Sequence, residues 1–564
     1  MKKNQFLAKN SLFFYLLIFS LLLCFSTTVF AAVKGEQFVS FLENTFELSR
    51  RSLSYDFSLE NPITRYQAAS LVIQALGYDD LIPFIDLAGY STNHPEIVLA
   101  STLRPPLLVG DERGDFRPND LLTEQEFSFL QPRIREYAQG RISWSTTISV
   151  EPGIELMVKK RGVAATKAID GFWLQVGAFS EEARAQNQSQ WLKELGYSTS
   201  VVVEDNLFKV RVGPLAPEEV SLTQSRLQKQ GFPAFPLSSS VSLSEGPVFS
   251  LALIFNPATS SRQLEVALAG DTILERETVS QIAKRKGAFF ATNGSFFATD
   301  GTPIGFLMID GKILSEPQNG WYVCGIQPDG HLLFDQLKWQ GEVIVSGEER
   351  GFPLSGINRA NRGEEIVLYT RDYGAKTPVQ EGVECVIAQG VVQKVGKSPG
   401  GSPLPPQGVI IQGKGRGESW MMNFLRSGLP IRVVFRIYPL RGEVEDWGGV
   451  RYALSGGPLL FQDGQPGPWG EFNEDIVKKK HPRTVIGQRE DGAVVFLVVD
   501  GRNQKHSAGL TIPELVEELK DYRLLNALNL DGGGSTTFYL QGKILNQPTD
   551  LIGERKISTA LILK

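Results

Sequence analysis

The chain has 564 residues, too many for one hydrophobic core, and at roughly 150 residues per domain it should form three or four units. Its formal net charge is −5, and its lysines and arginines are scattered along the sequence instead of forming a basic stripe. This composition argues against a nucleic-acid partner.

The N-terminal segment has the pattern of an export signal. Three lysines precede an apolar run from Leu12 to Leu23, and Ala31 closes a stretch suited to cleavage. We therefore predict a signal peptide over residues 1–31 and a secreted protein of the bacterial cell envelope or cell surface, without a transmembrane helix after cleavage. An uncleaved membrane anchor is the alternative, although the run is slightly short for a spanning helix.

Two cysteines, Cys324 and Cys385, remain after such a cleavage. Cysteine this sparse means that the fold does not depend on a disulfide framework. Whether these two residues pair is left open by the sequence.

A faint repeat occupies residues 35–140. A motif of Asp, Phe and Thr recurs at an offset of 59 residues, and its threonines, Thr64 and Thr123, each precede a predicted helix. The motif resembles the surface-layer homology repeat, in a degenerate form. The threonine-arginine pair of that repeat is kept at Arg65 but replaced at Glu124, and no third copy is evident. Binding of an anionic wall polymer and a purely helical spacer are both compatible with this pattern.

Residues 168–238 alternate as strand, helix, two strands, helix and strand, a βαββαβ unit. The motifs at 175–179 and 211–214 resemble those of the SPOR domain, which implies binding to peptidoglycan glycan strands. A serine-rich linker, 239–247, then leads into the largest segment, 248–564. Short strands and glycine-rich turns in that segment predict an α+β domain with a large mixed sheet, so the chain as a whole is predicted to be an α+β multidomain protein.

Two apolar runs in the largest segment each end at a carboxylate. "AVVFLVVDGR" ends at Asp500 and "NALNLDGGG" ends at Asp531. Between them, Thr511 and Glu514 form the pattern of a capping box and predict a helix. A strand-helix-strand unit predicts parallel strands joined by a right-handed crossover. Both carboxylates should then lie at one edge of the sheet, where open α/β sheets bind ligands.

Groups suited to an anion follow the second carboxylate. Gly532, Gly533 and Gly534 would let backbone N–H groups approach a phosphate closely. The hydroxyls of Ser535 and Thr536 could add donors. A plain tight turn is the simpler interpretation of the same sequence.

Further polar residues lie elsewhere in this segment. His481 and Arg483 flank a proline on one short loop, and arginine is the natural bidentate ligand of phosphate. His506 is the second histidine of this region. Asn293 and Gly457 mark turns after apolar strands, and each is a weak signal by itself.

Seven motifs taken together carry a family resemblance. In chain order they are "NGSFF", "SGGP", "HPRT", "VVDGR", "HSAGLTIPEL", "NLDGGGST" and "GERKISTALILK". Their order and spacing resemble the phosphodiester glycosidase family, of the N-acetylglucosamine-1-phosphodiester α-N-acetylglucosaminidase type. The signature positions that match are Asn293, Arg483, Asp500, Arg502, Ser507, Asp531, Gly533, Ser535 and Arg555. Ser295 and Thr549-Asp550 depart from the family pattern and leave the substrate open.

The resemblance implies a hydrolase that cleaves the bond between a sugar anomeric carbon and a phosphodiester. Ordinary glycosidases use two carboxyl groups, but a phosphate leaving group is already acidic, so cationic donors should matter more than a strong acid. We predict that Asp531 or Asp500 acts as base or nucleophile, with Asn293 and His481 as further catalytic residues. The predicted substrate-binding residues are Arg483, Arg502, Ser507, Gly532, Gly533, Gly534, Ser535, Thr536, Arg555 and Gly457.

The sequence requires no cofactor. A divalent cation, Ca²⁺ or Mg²⁺, held by the same aspartates is an open alternative, because both ions prefer oxygen ligands. The predicted partners are peptidoglycan and a sugar-phosphate or wall-polymer substrate. Two other functions stay open: a metal-dependent phosphodiesterase, and a non-catalytic protein that binds a cell-wall polymer.

Overall fold

A computed structural model describes residues 31–46, 48, 53–90, 93–108, 110, 115–163, 172–204, 207–215, 217–237, 246–347, 351–469 and 472–564. The predicted signal peptide lies outside these residues, apart from Ala31. The chain divides into two compact units at residue 142. No single helix within the described ranges is long and apolar enough to span a membrane, and one helix pair bent by 100°, Arg65–Leu76 with Asp79–Leu87, passes that test by length and composition only.

The first unit is helical. Its helices are α1 (Gly35–Phe46), α2 (Arg65–Leu76), α3 (Ile82–Leu87), α4 (Pro95–Thr102) and α5 (Glu124–Ala138). Thr64 and Thr123 cap α2 and α5, and each forms a complete capping box with the third residue of its helix. The two helix starts predicted from these threonines are therefore confirmed.

Three main-chain hydrogen bonds close a ring at the centre of this unit. The N–H of Val33 donates to the carbonyl of Leu122 (2.9 Å), that of Leu122 donates to Ile63 (2.9 Å), and that of Ile63 donates to Val33 (3.0 Å). All three side chains are fully buried, and each residue lies two positions before a helix. A buried residue two positions before a helix thus occurs three times in this unit, and at the first of these places Lys34 stands where the other two have a capping threonine.

Arg65 is used inside this unit. Its side chain is buried, its guanidinium lies 3.6 Å from the carboxylate of Glu126, and it stacks 4.9 Å from the ring centroid of Phe116. Arg65 thus stabilises contacts between the start of α2 and the segment of residues 116–126.

The second unit holds the remaining elements. Its strands are β1 (Ser143–Glu151), β2 (Ile154–Arg161), β3 (Phe172–Phe179), β4 (Thr199–Glu204), β5 (Leu207–Leu215), β6 (Phe235–Leu237), β7 (Val248–Phe255), β8 (Leu264–Leu268), β9 (Phe290–Asn293), β10 (Leu307–Ile309), β11 (Lys312–Ser315), β12 (Tyr322–Ile326), β13 (Leu332–Asp335), β14 (Leu337–Val345), β15 (Phe352–Leu354), β16 (Gly356–Ile357), β17 (Ile366–Tyr369), β18 (Gly382–Ala388), β19 (Val391–Ser398), β20 (Gly408–Gly413), β21 (Ile431–Pro439), β22 (Tyr452–Gly456), β23 (Leu459–Gln462), β24 (Gln465–Pro466), β25 (Arg483–Arg489), β26 (Val494–Val499), β27 (Leu524–Asn529), β28 (Phe538–Leu540), β29 (Lys543–Ile544) and β30 (Thr559–Leu563). Its helices are α6 (Glu182–Glu194), α7 (Pro217–Lys229), α8 (Val279–Lys286), α9 (Arg416–Phe424), α10 (Val444–Trp447), α11 (Glu474–Lys478) and α12 (Ile512–Leu519).

Strands β3 to β6 with α6 and α7 follow the order strand, helix, strand, strand, helix, strand. They form a four-stranded sheet in the order β4-β5-β3-β6, antiparallel throughout. Residues of both helices, among them Leu192 and Leu227, pack on apolar residues of this sheet, such as Leu174 and Val210. This small core belongs to residues 172–237 alone.

The large sheet has eight strands in the order β1-β2-β7-β26-β25-β27-β23-β24. Every neighbouring pair in it is antiparallel, so the expectation of a mixed sheet is wrong here, although the α+β class is confirmed. The hairpin β1-β2 joins this sheet through β7, which means that residues 143–161 pair with the segment that begins at 248. The β3–β6 unit is thus inserted between two neighbouring strands.

Strands β26 and β27 run in the same direction, as predicted, but β25 lies between them and is antiparallel to both. The physical reason is local, because β25 and β26 are joined by a short turn at Asp491-Gly492 and pair as a hairpin before the crossover helix α12 begins. Both strands still end at one edge of the sheet. The predicted common edge for Asp500 and Asp531 is therefore confirmed.

A second sheet, in the order β29-β28-β9-β30-β8, packs against the large one. The ring of Phe290 on β9 lies 5.0 Å, centroid to centroid, from Phe496 on β26 and 5.0 Å from Phe538 on β28. All three rings are fully buried. This packing brings the end of β9, with Asn293, to the edge where β27 ends.

Cys324 lies on β12 and Cys385 on β18, in different sheets, and both are buried free thiols. The pairing that the sequence left open is thus not formed.

The three-residue ring predicts that the stability of the first unit depends on the side chain of Leu122. Leu122→Ala removes a fully buried side chain from it, and we expect the stability of this unit to fall by about 2–5 kcal/mol. The matched control is the neighbouring Leu121→Ala, whose side chain is 48% exposed and which should change stability by no more than about 0.5 kcal/mol. Hydrogen-deuterium exchange of peptides that contain Val33 and Ile63 measures both effects, and equal exchange in the two variants would contradict the role of the ring.

Candidate active site

Asp531 lies two residues beyond β27 and is held through its main chain. Its N–H donates to the carbonyl of Gly294 (3.2 Å), and its own carbonyl accepts a hydrogen bond from Nδ2 of Asn293 (2.6 Å). Of its carboxylate, Oδ1 accepts the N–H of Gly532 (2.9 Å). The side chain is half-buried, so its position is fixed while part of it stays accessible.

The surroundings of Asp531 change its acidity. Burial raises the pKa of this carboxyl to about 6, because a charged carboxylate is poorly solvated there. The Ser535 hydroxyl, the Gly532 amide and the guanidinium groups of Arg555 and Arg502 oppose this effect. The carboxyl therefore changes charge close to neutral pH and is a candidate base or nucleophile.

Asn293 is a structural link that orients Asp531. It is 1% exposed, and besides its bond to Asp531 its Oδ1 accepts from Oγ1 of Thr484 on β25 (2.8 Å) and from the N–H of Thr537 (3.3 Å). One amide side chain thus ties β9, β25 and the turn after β27 together. The prediction of Asn293 as a catalytic group is replaced by a positioning role, since both of its polar atoms are used within the protein.

Steric crowding explains why glycine occupies positions 532, 533 and 534. A side chain at Gly532 would come within 2.6 Å of the carbonyl of Pro482, and one at Gly534 would overlap the Asp550 carboxylate and the Arg555 guanidinium. Gly533 has a φ of +61° and lies under the guanidinium of Arg502. The sequence G-G-G thus lets two arginine side chains cover the turn.

The expected nest of backbone donors is only partly available. The N–H of Gly532 donates to Asp531, that of Gly533 to the carbonyl of Pro482 (3.0 Å), and that of Ser535 to the carbonyl of Gly532 (3.2 Å). These amides therefore hold the turn in shape, and the charge for binding an anion comes from the two arginines above it.

Arg502 and Arg555 are the cations next to the turn. Arg555 is paired with Asp550 through two hydrogen bonds (2.8 and 2.9 Å), and this pairing raises its pKa. Arg502 has a φ of +60°, and its Nη2 donates to Nδ1 of His481 (3.1 Å). Burial and the neighbouring Arg555 lower the pKa of Arg502, which means that an added negative charge between the two would be stabilised.

His481 holds Arg502 in place. Because its Nδ1 accepts from the arginine, the proton is assigned to Nε2, which lies 3.2 Å from the carbonyl of Asp475. Burial, followed by the charges of Arg483 and Arg502, lowers the pKa of His481 to about 4. The ring is neutral at physiological pH and positions Arg502, and the catalytic role of His481 stays a prediction.

Arg483 does not face the open edge. It is 3% exposed, its Nε donates to the carbonyl of Leu510 (2.7 Å), and its Nη2 donates to those of Ile476 (2.7 Å) and Lys479 (2.9 Å). Burial lowers its pKa to about 9. The predicted phosphate ligand is thus a clamp on the loop that carries His481.

Asp500 is likewise occupied by the protein. It is 1% exposed, and its oxygens accept hydrogen bonds from Nδ2 of Asn546 (2.8 Å), the N–H of Gln547 (2.8 Å) and Nε2 of His506 (2.7 Å). Three donors on one buried carboxylate leave its oxygens little room for a water molecule. Asp500 shares the edge with Asp531 but anchors the segment around Asn546.

The remaining predicted residues support the same edge from inside. Oγ of Ser507 donates to the carbonyl of Asp500 (2.6 Å), and Gly457 exchanges two hydrogen bonds of 2.7 Å with Asn529 at the end of β27. Thr536 is buried and lies 3.4 Å from the hydroxyl of Thr484. The buried Ser535 hydroxyl is near enough to Asp531 to lower its pKa, yet no hydrogen bond of standard geometry joins the two.

The site therefore has two layers. Asp531, Arg502 and Arg555 are partly buried and lie around the glycine turn, and hydrogen bonds of Asn293, Arg483, Asp500 and His481 hold the segments that surround it. Asp550, Asn546 and Asp475 were not among the predicted residues. Only Asp550, the acid that pairs with Arg555, had a sequence signal, since it keeps the aspartate of the family's serine-aspartate pattern while Thr549 replaces the serine.

A cavity of ≈490 Å³ opens beside the Arg555–Asp550 pair. Arg276 and Lys556 also line it, so it has a surplus of positive charge. Within the described ranges, no group of three or more His, Cys, Asp or Glu side chains is arranged to hold a metal ion.

Comparison with known proteins supports this interpretation for part of the chain. Residues 381–564 match the model of the family described as phosphodiester glycosidase, and residues 168–238 match the SPOR domain. Asn293 lies outside the first match, and every other predicted site residue lies inside it.

Two curated proteins are similar over about a fifth of this chain. One is the SPbeta prophage-derived uncharacterized protein YomE of Bacillus subtilis, 34% identical over 119 residues, which are 20% of this chain and 18% of that protein. The other is N-acetylglucosamine-1-phosphodiester alpha-N-acetylglucosaminidase of Mus musculus, 30% identical over 117 residues, which are 20% of this chain and 22% of that enzyme. The chain thus spans about a fifth of the length of these relatives.

The fold has a counterpart among solved structures. A protein of Burkholderia pseudomallei K96243, named as exported, aligns with a TM-score of 0.60 at 20% identity, over 75% of this chain and 96% of its own. At this identity the likeness concerns the fold alone. Residues 168–238 are thus similar to SPOR domains and residues 381–564 to the phosphodiester glycosidase family, and Asp531, Arg502 and Arg555 lie within the second match.

Proposed function

We propose that this protein hydrolyses sugar-1-phosphodiesters, breaking the bond between the anomeric carbon and the phosphate oxygen. The observation that carries the proposal is the grouping of Asp531, Arg502 and Arg555 around one glycine turn. It gives a carboxyl with a pKa of about 6 next to two guanidinium groups, in a segment that matches the phosphodiester glycosidase family.

Asp531 acts on the sugar side of the bond. At neutral pH it is mostly ionised, so it either activates water or attacks the anomeric carbon directly. Water supplies the oxygen of the sugar hydroxyl and the proton of the second product. The departing group leaves as a phosphomonoester, so that one bond forms and one breaks.

The arginines act on the phosphate side. Negative charge develops on the phosphate oxygen as the bond breaks, and Arg502 and Arg555 lie where they can stabilise it. A phosphate is a good leaving group, so the site needs no second acid. This agrees with the internal use of Asp500 and with the neutral state of His481.

We further propose that the substrate is a sugar-phosphate polymer or modified glycan of the cell envelope. The SPOR domain at 168–238 supports localisation of the protein to peptidoglycan. An export signal at 1–31 and wall binding by the threefold helical unit are part of the same proposal. Arg65 is engaged with Glu126 in that unit, so wall binding there would use other residues.

Position-specific isotope labelling tests which bond breaks. Hydrolysis in ¹⁸O-labelled water should place the label in the released sugar, because water attacks carbon. The Asp531→Asn variant should release no product and gives the background of the assay. Label in the phosphate would identify a phosphodiesterase instead, and a wild-type protein that retains wall polymer without releasing product would be a binding protein.

Crowding at the glycine turn gives a second prediction. Gly534→Ala should displace the Arg555–Asp550 pair, and we expect turnover to fall roughly 100-fold or more, because a shift of about 1 Å is enough for such a loss. Gly449→Ala is the matched control, since a side chain at that position meets no atom within 4 Å. Turnover and melting temperature are measured for both variants. Equal turnover would remove the turn from the site.

The raised pKa of Asp531 predicts a pH-dependent stability. Its folded pKa of about 6 exceeds the ordinary 3.8, so ionised Asp531 destabilises the fold, and the cost grows as pH rises from about 4 to 6 and is then constant. Asp531→Asn removes this cost, and its gain in unfolding free energy should be about 1 kcal/mol larger at pH 8 than at pH 5. Urea unfolding at the two pH values measures it. Asp463→Asn, at an exposed position, corrects for the change in net charge. A gain that did not depend on pH would contradict the burial of this carboxyl.

A further inference from the structure

Three aromatic side chains lie together on loops that are connected to the Asp531 site, and they have no part in the mechanism above. The ring of Trp321 lies 5.1 Å, centroid to centroid, from Phe296 and 5.4 Å from Phe472. The three residues come from three separate loops, before β12, after β9 and before α11. We call them the aromatic platform.

The platform is connected to Asp531 through two neighbouring segments of main chain. Phe296 is two residues from Gly294, whose carbonyl accepts the N–H of Asp531 (3.2 Å). On the other side, the ring of Phe472 packs against Gly457, where a side chain would overlap it. Gly457 in turn donates to the carbonyl of Asn529 (2.7 Å), two residues before Asp531.

The exposure of these rings distinguishes them from core aromatics. Phe290 and Phe496, which fill the space between the two sheets, are 0% exposed, whereas Trp321, Phe296 and Phe472 are all only partly buried. Keeping three aromatic rings in partial contact with water costs free energy that a buried position would recover. Such a grouping beside a reactive carboxylate is typical of a ligand surface.

The chemistry of the platform matches the apolar face of a sugar ring. An aromatic face carries partial negative charge and attracts the C–H groups of a pyranose, while the hydroxyl edge of the sugar stays in contact with polar groups. A phosphate would be repelled by the same faces. The platform and the arginines thus favour opposite ends of a sugar-1-phosphodiester.

A cavity of ≈1030 Å³ lies in the loops that neighbour the platform in sequence. Its lining includes Ala298, two residues beyond Phe296, and Gln318, whose carbonyl accepts the N–H of Trp321 (3.2 Å). Its other polar lining includes Asp300 and Asn319.

We infer that the aromatic platform of Phe296, Trp321 and Phe472 is a sugar-binding subsite that seats the pyranose next to Asp531. The inference rests on the proposed function, because it deepens the account of the same site. It also names Trp321, at the centre of the platform, as the residue that contributes most of the stacking surface.

The test uses binding of a free sugar, which requires no hydrolysis. N-acetylglucosamine is titrated into the full chain and its binding is followed by saturation-transfer difference NMR. Trp321→Ala should weaken binding roughly tenfold or more, since it removes most of a stacking surface. Trp321→Phe, which keeps a ring, should retain most of the affinity.

Trp420→Ala is the matched control. Trp420 also stacks on two phenylalanines, at 4.9 Å from Phe352 and 5.9 Å from Phe424, but it lies away from the Asp531 edge, on α9. The Trp420→Ala variant should therefore bind the sugar with the affinity of the wild type. Melting temperatures of the three variants separate a lost contact from a lost fold.

The outcomes separate the subsite from the enzyme. Equal binding by wild type and Trp321→Ala, or no binding by wild type at millimolar sugar, would overturn the subsite. Sugar binding that depends on Trp321, without hydrolysis of any sugar-1-phosphodiester, would support the subsite and reject the proposed activity. If the wild type hydrolyses a sugar-1-phosphodiester, Trp321→Ala should raise KM relative to the wild type more than it lowers kcat.

Discussion

The amide of Asn293 is the point on which the site depends. It joins the end of one sheet to the middle strand of another, and it fixes the main chain of the carboxylate that follows β27. Because all of its hydrogen bonds lie where water is excluded, losing any of them would leave a buried polar group unsatisfied. The Asp531 carboxyl can keep an unfavourable, half-buried position only because its backbone is held this firmly.

Around this point the protein separates two tasks that similar residues could perform. Charged side chains that lie deep in the structure, Arg483 and Asp500, satisfy backbone carbonyls and amides of long loops. Charged side chains above the glycine turn, Arg502 and Arg555, are left close to a space that a ligand can enter. The two groups differ in depth below the surface and not in residue type. The free-energy cost of burying the deeper charges is offset by the many hydrogen bonds that they form.

Features that depend on local sequence patterns could be predicted, and features that depend on the depth of a side chain could not. Asp531 at a strand end, the capping boxes at Thr64, Thr123 and Thr511, and the common edge of two strands all follow from local patterns. Motif matching also placed Arg483 and Asp500 near the site, but no one-dimensional pattern tells whether a charged group points inward or outward. The position of β25 was missed for a related reason, because a short hairpin takes precedence over the crossover that the strand-helix-strand pattern suggests. The grouping of the aromatic platform could not be predicted, because its three rings come from loops far apart in the chain, although Phe296 lies within the motif "NGSFF".

The insertion of the SPOR domain between β2 and β7 has a mechanical consequence. Its entry and exit are not free ends, since Arg161 and Val248 face each other as partners in the large sheet, about 5 Å apart. The domain therefore has two attachment points on one sheet, so tension applied to it would be shared by adjacent strands and would shear their hydrogen bonds together instead of peeling one chain terminus away. It also means that the whole module could be exchanged for a tight turn, leaving the sheet continuous from β1 to β24.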